Sequence, residues 1–485
     1  MNWTDLNLIP AMPEIVLLSA LGIVLLVDLW LKDSQRYITH YLSLLALVAV
    51  AATQWTVWQT ESVTTFGEMY IADGMSQLSK MVMYASLFAL FVYSKPYNQA
   101  REIFKGEYYT LSLFALLGMS VMASSGHFLV AYVGLELLSL SLYAMIALRR
   151  DSAHAAEAAL KYFVLGALAS GLLLYGISMV YGATGSLDFA TVLANAYNGD
   201  ANPWLLKLGV VFIVVAIAFK FGAVPFHMWV PDVYEGAPTS AAALVGTLPK
   251  IAAVVFAFRI LVMALGNQAG VGTQSGWMQM LAILAVASLL IGNLAAIMQT
   301  NIKRMLAYST ISHMGFILLA FMAGTIGFSA ALYYAVAYIV MGLVGFGLLM
   351  MLSDENHECE EISDLAGLNQ RNAWYAFLML LTMFSMAGIP PLMGFFAKLY
   401  VIQALLGGGH LVLAIFAVVM SLIGAFYYLR VVKVMYFDTA QNTAPIGGCP
   451  GAKTLLSVNA LLLLLWGVMP KTVLDWCVQA LQNTF

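Results

Sequence analysis

Three lysines lie deep inside apolar stretches of this chain, and each is close to a proline. They are Lys220, Lys250 and Lys398. A charged side chain at the centre of a membrane-spanning helix costs about 2.5 to 3.5 kcal/mol on insertion scales, so such residues rarely persist without a function. Buried lysine also titrates more readily than exposed lysine, because burial disfavours the charged form. The three lysines therefore predict a membrane protein that handles protons or cations.

One carboxylate, Glu136, lies near the middle of the apolar run 127–148. We expect it to pair directly with Lys220, because both lie at about mid-depth and each would otherwise be an uncompensated buried charge. A purely structural ion pair is the alternative. Lys250 lies about eleven residues from either end of its run, roughly 16 Å, which is beyond the reach of a lysine stem. Lys398 lies eight residues past Pro390, so snorkelling to the membrane surface is its alternative to a role in proton transfer.

Four further titratable residues are weaker candidates. Glu157 and Lys161 are four residues apart on one helix, so they share a face and can pair. Either an interfacial salt bridge or a proton-transfer role would explain them. His227 and His313 carry protons near neutral pH, although single histidines in helices also serve as hydrogen-bonded packing groups.

These residues suggest a transport mechanism. A lysine–carboxylate contact at 4 Å is worth about 4 kcal/mol at an effective dielectric of 20. A membrane potential supplies a comparable force, about 2.3 kcal/mol per charge per 100 mV. Moving one carboxylate by a few ångströms could therefore load and unload a proton. We hypothesise a proton pathway through water that connects Glu136, Lys220, Lys250 and Lys398.

The composition excludes several classes of protein. Hydrophobic residues make up 62% of the 485 residues and charged residues 9%, against about 25% charged in soluble domains. The formal net charge of −3 gives no basic field for nucleic acid. The cysteines Cys359, Cys449 and Cys477 are isolated and fit neither an iron–sulfur ligand set nor a disulfide framework. The acidic segment around His357 is predicted to be a solvated loop, and we expect no cofactor or metal in this chain.

Apolar runs of about 20 residues predict membrane-spanning helices. The sequence predicts an all-α polytopic membrane protein of fourteen such helices, forming one membrane domain over residues 1–485. The predicted spans are 12–31, 38–58, 78–94, 108–125, 127–148, 157–182, 205–231, 239–263, 277–299, 302–324, 327–352, 373–405, 410–436 and 454–470.

The distribution of lysine and arginine predicts the orientation, because cytoplasmic loops carry the excess of both. Loops after odd-numbered helices hold most of them, including Arg149 and Lys303, whereas the other loops and the tail offer chiefly Lys207 and Lys471. With an even number of helices, this bias places both termini on the outer side. Arg259, near the outer end of helix 8, is predicted to be an anchor at the membrane interface.

Helices 7 and 12 are predicted to be interrupted. Pro225 frees the carbonyl of Phe221, and Pro390 frees that of Met386. Free backbone groups at this depth are tolerated only inside protein or beside a wet cavity. Two such helices at separated positions are typical of transporters built from inverted repeats. We predict repeats over 108–263, which holds helices 4 to 8, and over 277–436, which holds helices 9 to 13.

Several motifs resemble a known family. The segments GLELLSLSLYAM at 134–145, AFKFGAVPFHMWVPDVYEGAPTSAAALVGTLPKIA at 218–252, NIKRMLAYSTISHMGF at 301–316 and ISDLAGL at 362–368 are similar to the antiporter-like proton-translocating subunits of respiratory complex I. The resemblance implies that Glu136 is the helix 5 carboxylate paired with Lys220, Lys250 a connecting lysine and Lys398 an exit-side lysine. Within the family, Lys398 argues against the M-type subunit, which is expected to carry glutamate there. The missing C-terminal extension argues against the L-type.

The resemblance also implies a biological setting. Protons would be pumped across a bacterial inner membrane, driven by electron transfer from NADH to quinone elsewhere in the complex. The NADH, FMN, iron–sulfur clusters and quinone are then expected in partner subunits, and homologous antiporter-like subunits are expected among the neighbours. Two alternatives stay open: a subunit of a Mrp-type cation/proton antiporter, and a membrane scaffold whose charges only pair.

Overall fold

The computed structural model describes residues 7–266, 276–354, 357–440, 446 and 449–484. Nearly all of this chain is helical, which confirms the predicted all-α class. The first helices are α1 (Met12–Trp30), α2 (Tyr37–Thr56) and α3 (Gly74–Ala100). A short antiparallel hairpin of β1 (Val63–Thr65) and β2 (Tyr70–Ala72) connects α2 to α3 and pairs Thr64 with Ile71.

A second group of helices contains the first predicted repeat. It consists of α4 (Gly106–Ala123), α5 (Phe128–Ile146), α6 (Ala153–Thr184), α7 (Phe189–Asn198), α8 (Pro203–Phe221), α9 (Trp229–Gly236), α10 (Thr239–Gly246) and α11 (Leu248–Ala257), with a π-helix at Phe258–Ala264. Predicted helix 8 is thus divided at Thr247, just before Pro249, where a proline kink is expected from the sequence.

The third group contains the second predicted repeat and the C-terminal helices. It consists of α12 (Trp277–Ile297), α13 (Ile302–Phe321), α14 (Gly324–Leu352), α15 (Leu368–Arg371), α16 (Ala373–Ala387), α17 (Met393–Gly407), α18 (Leu411–Phe437), α19 (Pro450–Val468) and α20 (Pro470–Gln482). Three short 3-10 helices, Ile9–Ala11, Asp33–Gln35 and Ile362–Leu365, complete the helical elements of the described residues.

The predicted spans agree with these helices. Within the described residues, twelve helices are long and apolar enough to cross a membrane. The other two predicted spans coincide with α4 and with the pair α16 and α17. Hydropathy does not predict α7 or α20, because each is short and amphipathic and presents apolar residues on one face only.

Both predicted interruptions are present. Helix α8 ends at Phe221, followed by Gly222 with φ of 73°, and α16 ends at Ala387, followed by Gly388 with φ of 89°. Glycine adopts this left-handed backbone without the steric cost that other residues meet, so it ends each helix. After each interruption a further helix, α9 or α17, continues the chain. The inverted relation between the two groups stays a prediction.

Helix α14 lies at the centre of the molecule. Its most apolar window is entirely buried, whereas most of the corresponding window of α18 is exposed. It packs against helices of both the second and the third group, among them α10, α11, α13, α16 and α17, and against α3. Lys250 and Lys398 are buried and lie on α11 and α17, which both contact this helix, whereas Lys220 on α8 is only partly buried.

Candidate functional site

Lys220 and Lys250 line one small cavity. Its other walls include Ser139, Trp229 and Pro249, and its volume is about 20 Å³. A volume of about 10–15 Å³ is enough for one water molecule if polar partners are available. The cavity therefore has room for about one water molecule between Lys220 and Lys250.

Lys220 binds a serine and not the predicted carboxylate. Its ammonium Nζ donates a hydrogen bond of 2.6 Å to Ser139 Oγ on α5. Glu136 instead accepts a short hydrogen bond from Ser170 Oγ on α6. The predicted direct Glu136–Lys220 pair is therefore wrong for this structure. The two side chains of α5 leave the helix about 60° apart, so Ser139 faces α8 while Glu136 faces α6.

Lys250 is bound at the first helix interruption. Its ammonium Nζ lies 3.5 Å from the carbonyl oxygen of Phe221, to which it donates, and 5.3 Å from the centre of the Trp229 ring. Only 1% of Lys250 is exposed. This contact is consistent with the prediction that Pro225 frees the Phe221 carbonyl. Because Lys250 is buried, it does not snorkel to the membrane surface, as its distance from the helix ends predicted.

Lys398 is bound at the second interruption. Its Nζ donates to the carbonyl of Ala387 at 2.8 Å and to Ser421 Oγ at 3.0 Å, and lies 5.4 Å from the centre of the Phe316 ring. The bound carbonyl is one residue beyond that of Met386, which the sequence suggested. The side chain turns back to the interruption and is buried, so the snorkelling alternative is wrong.

His313 lies in a chain of hydroxyl groups in the second half. Its Nδ1 is 2.7 Å from Tyr334 Oη, and its Nε2 is 3.0 Å from Tyr428 Oη. Tyr428 makes a further short hydrogen bond to Ser309 Oγ. The Tyr334 ring stacks on that of Phe316, over which the Lys398 ammonium lies. The structure thus brings His313 into the surroundings of Lys398.

The remaining candidates lie apart from the lysines. His227 is half-buried in the loop between α8 and α9, and its buried Nδ1 has no hydrogen-bond partner among the described residues. Glu157 and Lys161 pair at 2.9 Å as predicted, and Lys161 also binds Asp232 at 2.8 Å. All three are partly exposed, which favours the interfacial salt bridge over a place in the central pathway.

Sequence reasoning missed an ionic site on the face where α4 and α6 begin. Glu358 accepts hydrogen bonds from Tyr97 Oη at 2.5 Å and Thr239 Oγ1 at 2.9 Å, and pairs with Arg149 at 3.3 Å. Its side chain is only 12% exposed, so the prediction of a solvated loop is wrong here. Burial opposes ionisation, but nearby Lys303 and the two hydrogen bonds outweigh it, and the pKa of Glu358 lies below its ordinary value.

Arg259 was also misplaced by sequence reasoning. It is fully buried and forms a salt bridge of 2.7 Å with Asp73, so the predicted interface anchor is wrong. Its position near a helix end suggested exposure, but α7 packs against the π-helix that carries it, and Asp73 and the carbonyl of Ala123 bind its guanidinium. The acidic Asp73, five residues before the apolar run of helix 3, was the available signal.

The fold and the site together define a class of protein: a polytopic α-helical membrane protein with two interrupted helices, each interruption bound by a buried lysine, as in ion transporters. Residues 125–424 match the family model described as NADH:quinone oxidoreductase/Mrp antiporter, TM. The match covers more than half of the chain, and the chain belongs to this family.

Individual relatives narrow the comparison. The chain is 70% identical to NADH-quinone oxidoreductase subunit N of Neisseria gonorrhoeae over all of both sequences. Among solved structures it resembles a chain of respiratory complex I from Thermus thermophilus, with a TM-score of 0.81, 30% identity and coverage of 96% of this chain and 98% of that one. The first of these relatives is named as subunit N, which agrees with the sequence argument against the M-type and L-type subunits.

A chain of the Mrp complex from Dietzia sp. DQ12-45-1b shares the fold. The TM-score is 0.83 at 21% identity, with coverage of 98% of this chain and 97% of that one. At this identity the similarity shows a shared fold only. It therefore supports the antiporter alternative less strongly than the relatives above support the oxidoreductase.

Proposed function

We propose that this chain is a proton-translocating membrane subunit of an NADH:quinone oxidoreductase, driven by electron transfer from NADH to quinone in partner subunits. Its relatives are named as a subunit of NADH-quinone oxidoreductase or belong to respiratory complex I. The observation that carries the proposal is that Lys250 and Lys398, both buried, each donate to the last helical carbonyl before an interruption. An ammonium held by a carbonyl in a water-accessible break can exchange its proton without leaving an uncompensated backbone group.

The pathway starts at Glu136 and Lys220. Ser170 and Ser139 hold these two charged groups apart. Rotation of the Glu136 side chain toward Lys220 would stabilise the ammonium, and its return to Ser170 would release a proton from that lysine. The cavity between Lys220 and Lys250 supplies a place for the connecting water.

The second half of the pathway runs from Lys250 toward Lys398. The polar groups available there are His313 and the hydroxyls of Tyr334 and Tyr428. Hydroxyl and imidazole groups each both accept and donate hydrogen bonds, so they can pass protons in either direction. His227, in the first interruption, is proposed as a secondary proton carrier, and Glu157 and Lys161 only as peripheral groups near one face of the membrane.

The proposal includes the surroundings of the chain. Other membrane subunits, among them homologous antiporter-like ones, are its neighbours in a bacterial inner membrane, with both termini on the outer side. NADH, FMN, the iron–sulfur clusters and quinone are bound by partner subunits. Within the described residues, no group of three or more His, Cys, Asp or Glu side chains could hold a metal ion.

The test is Lys220→Ala in the assembled complex. NADH-driven proton uptake into inside-out membrane vesicles is measured with a pH-sensitive dye and divided by the rate of NADH oxidation. Uptake per NADH should fall to half or less. The matched control is Lys207→Ala, an exposed lysine on the same helix α8, which should behave as the wild type.

The two alternatives predict different outcomes. If Lys220→Ala and the double variant with Glu136→Ala both pump fully, the charges only pair and the scaffold hypothesis holds. If uptake depends on sodium, and the chain migrates on native gels with sodium/proton exchange activity and without NADH dehydrogenase activity, the Mrp-type alternative holds.

A further inference from the structure

A second buried charged cluster lies in the N-terminal part of the chain and contains none of the lysines discussed so far. It is formed by Glu14 on α1, Tyr70 on β2 and Lys80 on α3, and is called the Glu14 cluster below. All three elements precede the predicted repeats. The cluster lies on the face where α1 and α3 begin, which is the predicted outer face.

The three side chains form a closed triangle. Lys80 Nζ lies 2.5 Å from Glu14 Oε1 and donates to Tyr70 Oη at 2.9 Å. Tyr70 Oη in turn lies 2.8 Å from Glu14 Oε2 and 3.0 Å from the carbonyl of Pro10, so its single proton has two acceptors. A hydroxyl between an ammonium and a carboxylate can accept a proton from one and donate its own to the other.

The triangle has an inner and an outer member. The side chain of Lys80 is 1% exposed, whereas that of Glu14 is 10% exposed. Glu14 is therefore the less deeply buried of the two charged groups, and Lys80 is the more deeply buried one. This polarity is what a one-way release site requires, since the proton must arrive from inside and leave outside.

Polar groups continue from Lys80 into the protein. Tyr84, one turn further along α3, and Ser124 have buried hydroxyls, and these lie near Ser120 and Tyr70, respectively. Buried groups of this kind are usually satisfied by ordered water. Tyr84 thus places a polar group one turn further along α3 than Lys80.

The cluster is also fixed to the helix that carries Lys250. Arg259 follows Lys250 by nine residues, roughly 13 Å along the helix. It binds Asp73 at 2.7 Å, and Asp73 is the residue that caps α3, seven residues before Lys80. Both members of this ion pair are 0% exposed. This ion pair joins the helix of Lys250 to the start of α3.

We propose that the Glu14 cluster is a proton-release site of this subunit on the outer face. In the release step Lys80 transfers a proton to the Tyr70 oxygen while the Tyr70 hydroxyl proton passes to Glu14. Lys80 becomes a neutral amine, Tyr70 is unchanged, and Glu14 becomes a carboxylic acid that loses its proton to water. Lys80 then regains a proton from the interior. The proposal rests on the proton-translocating function proposed above.

The test compares variants in the assembled complex by proton uptake per NADH oxidised. Tyr70→Phe keeps the ion pair and the ring but removes the relay hydroxyl. The double variant Glu14→Gln with Lys80→Met removes both charges together, so no buried charge is left alone. Both should assemble, as judged on native gels, and uptake should fall to half or less. The control is Glu61→Gln, an exposed carboxylate on the same face, with uptake at the wild-type level.

Wild-type uptake in Tyr70→Phe, or in the assembled double variant, would overturn the proposal and leave a structural ion pair. If the double variant does not assemble, Tyr70→Phe decides the matter. Lys250→Ala, measured in parallel, separates the two proposals. If Lys250→Ala pumps fully, the proposed translocating function is wrong. If Lys250→Ala has low uptake and Tyr70→Phe has full uptake, only the proposed release site at the Glu14 cluster is wrong.

Discussion

The ammonium of Lys398 lies 2.8 Å from the carbonyl oxygen of Ala387, the residue that ends α16 immediately before the left-handed Gly388. The same relation holds in the first half between Lys250 and Phe221, which precedes the left-handed Gly222, although at the longer distance of 3.5 Å. In both halves a lysine from a different helical segment replaces the amide donor that the interruption removed. The lysine is thus both a charge and a cap.

The two roles of Lys398 can be separated by substitution. Lys398→Gln keeps a hydrogen-bond donor for the Ala387 carbonyl but carries no proton to exchange, and Lys398→Arg keeps a positive charge that does not deprotonate in proteins. Both variants should assemble and oxidise NADH with proton uptake at half the wild-type ratio or less. Lys398→Met leaves the carbonyl without its donor and should also lower stability, by about 1–3 kcal/mol. Full uptake in Lys398→Arg would show that the lysine serves only as a cap.

Ser139 should position the Lys220 ammonium. Ser139→Ala removes the acceptor 2.6 Å from Lys220 Nζ, so the lysine turns toward Glu136, and the ion pair that then forms should slow proton release. The rate of proton uptake should fall at unchanged amounts of assembled complex. Ser141→Ala is the matched control, because Ser141 lies on the same helix and donates only to the carbonyl of Leu137. Equal rates in the two variants would contradict the role of Ser139.

Sequence predicted the helices better than the contacts between them. Long apolar runs and the prolines at 225 and 390 report directly on membrane depth and backbone hydrogen bonding, which is why the spans and both interruptions are found. The partner of Lys220 depends instead on the direction in which two side chains leave α5, and hydropathy carries no such information. Arg259 and Glu358 were misjudged for a related reason: burial by a distant loop or hairpin is a tertiary effect, invisible in a local window.

The buried ion pair of Arg259 and Asp73 should be essential for stability. Arg259→Met leaves a buried carboxylate without its partner, and breaking such a pair costs about 3–5 kcal/mol. The thermal unfolding temperature of the solubilised complex should fall in this variant and recover at least partly when Asp73→Asn is added. A double-mutant cycle gives the coupling. Additive effects of the two substitutions would show that the pair contributes no coupling despite its 2.7 Å contact.

Glu358 should make the loop that contains it sensitive to acid. Its folded-state pKa lies below the ordinary value of 4.5, so the ionised form is stabilised by folding. This stabilisation is fully present above the unfolded-state pKa and is lost as pH falls through the lower, folded-state pKa. Hydrogen-exchange protection of residues 357–366 should therefore be constant near neutral pH and decrease below about pH 4.5.

In the Glu358→Gln variant this protection should already be low at neutral pH. The control is Glu107→Gln, which changes an exposed carboxylate on the same face and should retain the wild-type profile. Wild-type protection in Glu358→Gln at neutral pH would show that Lys303 and Glu360, 2.6 Å apart, hold the loop without it.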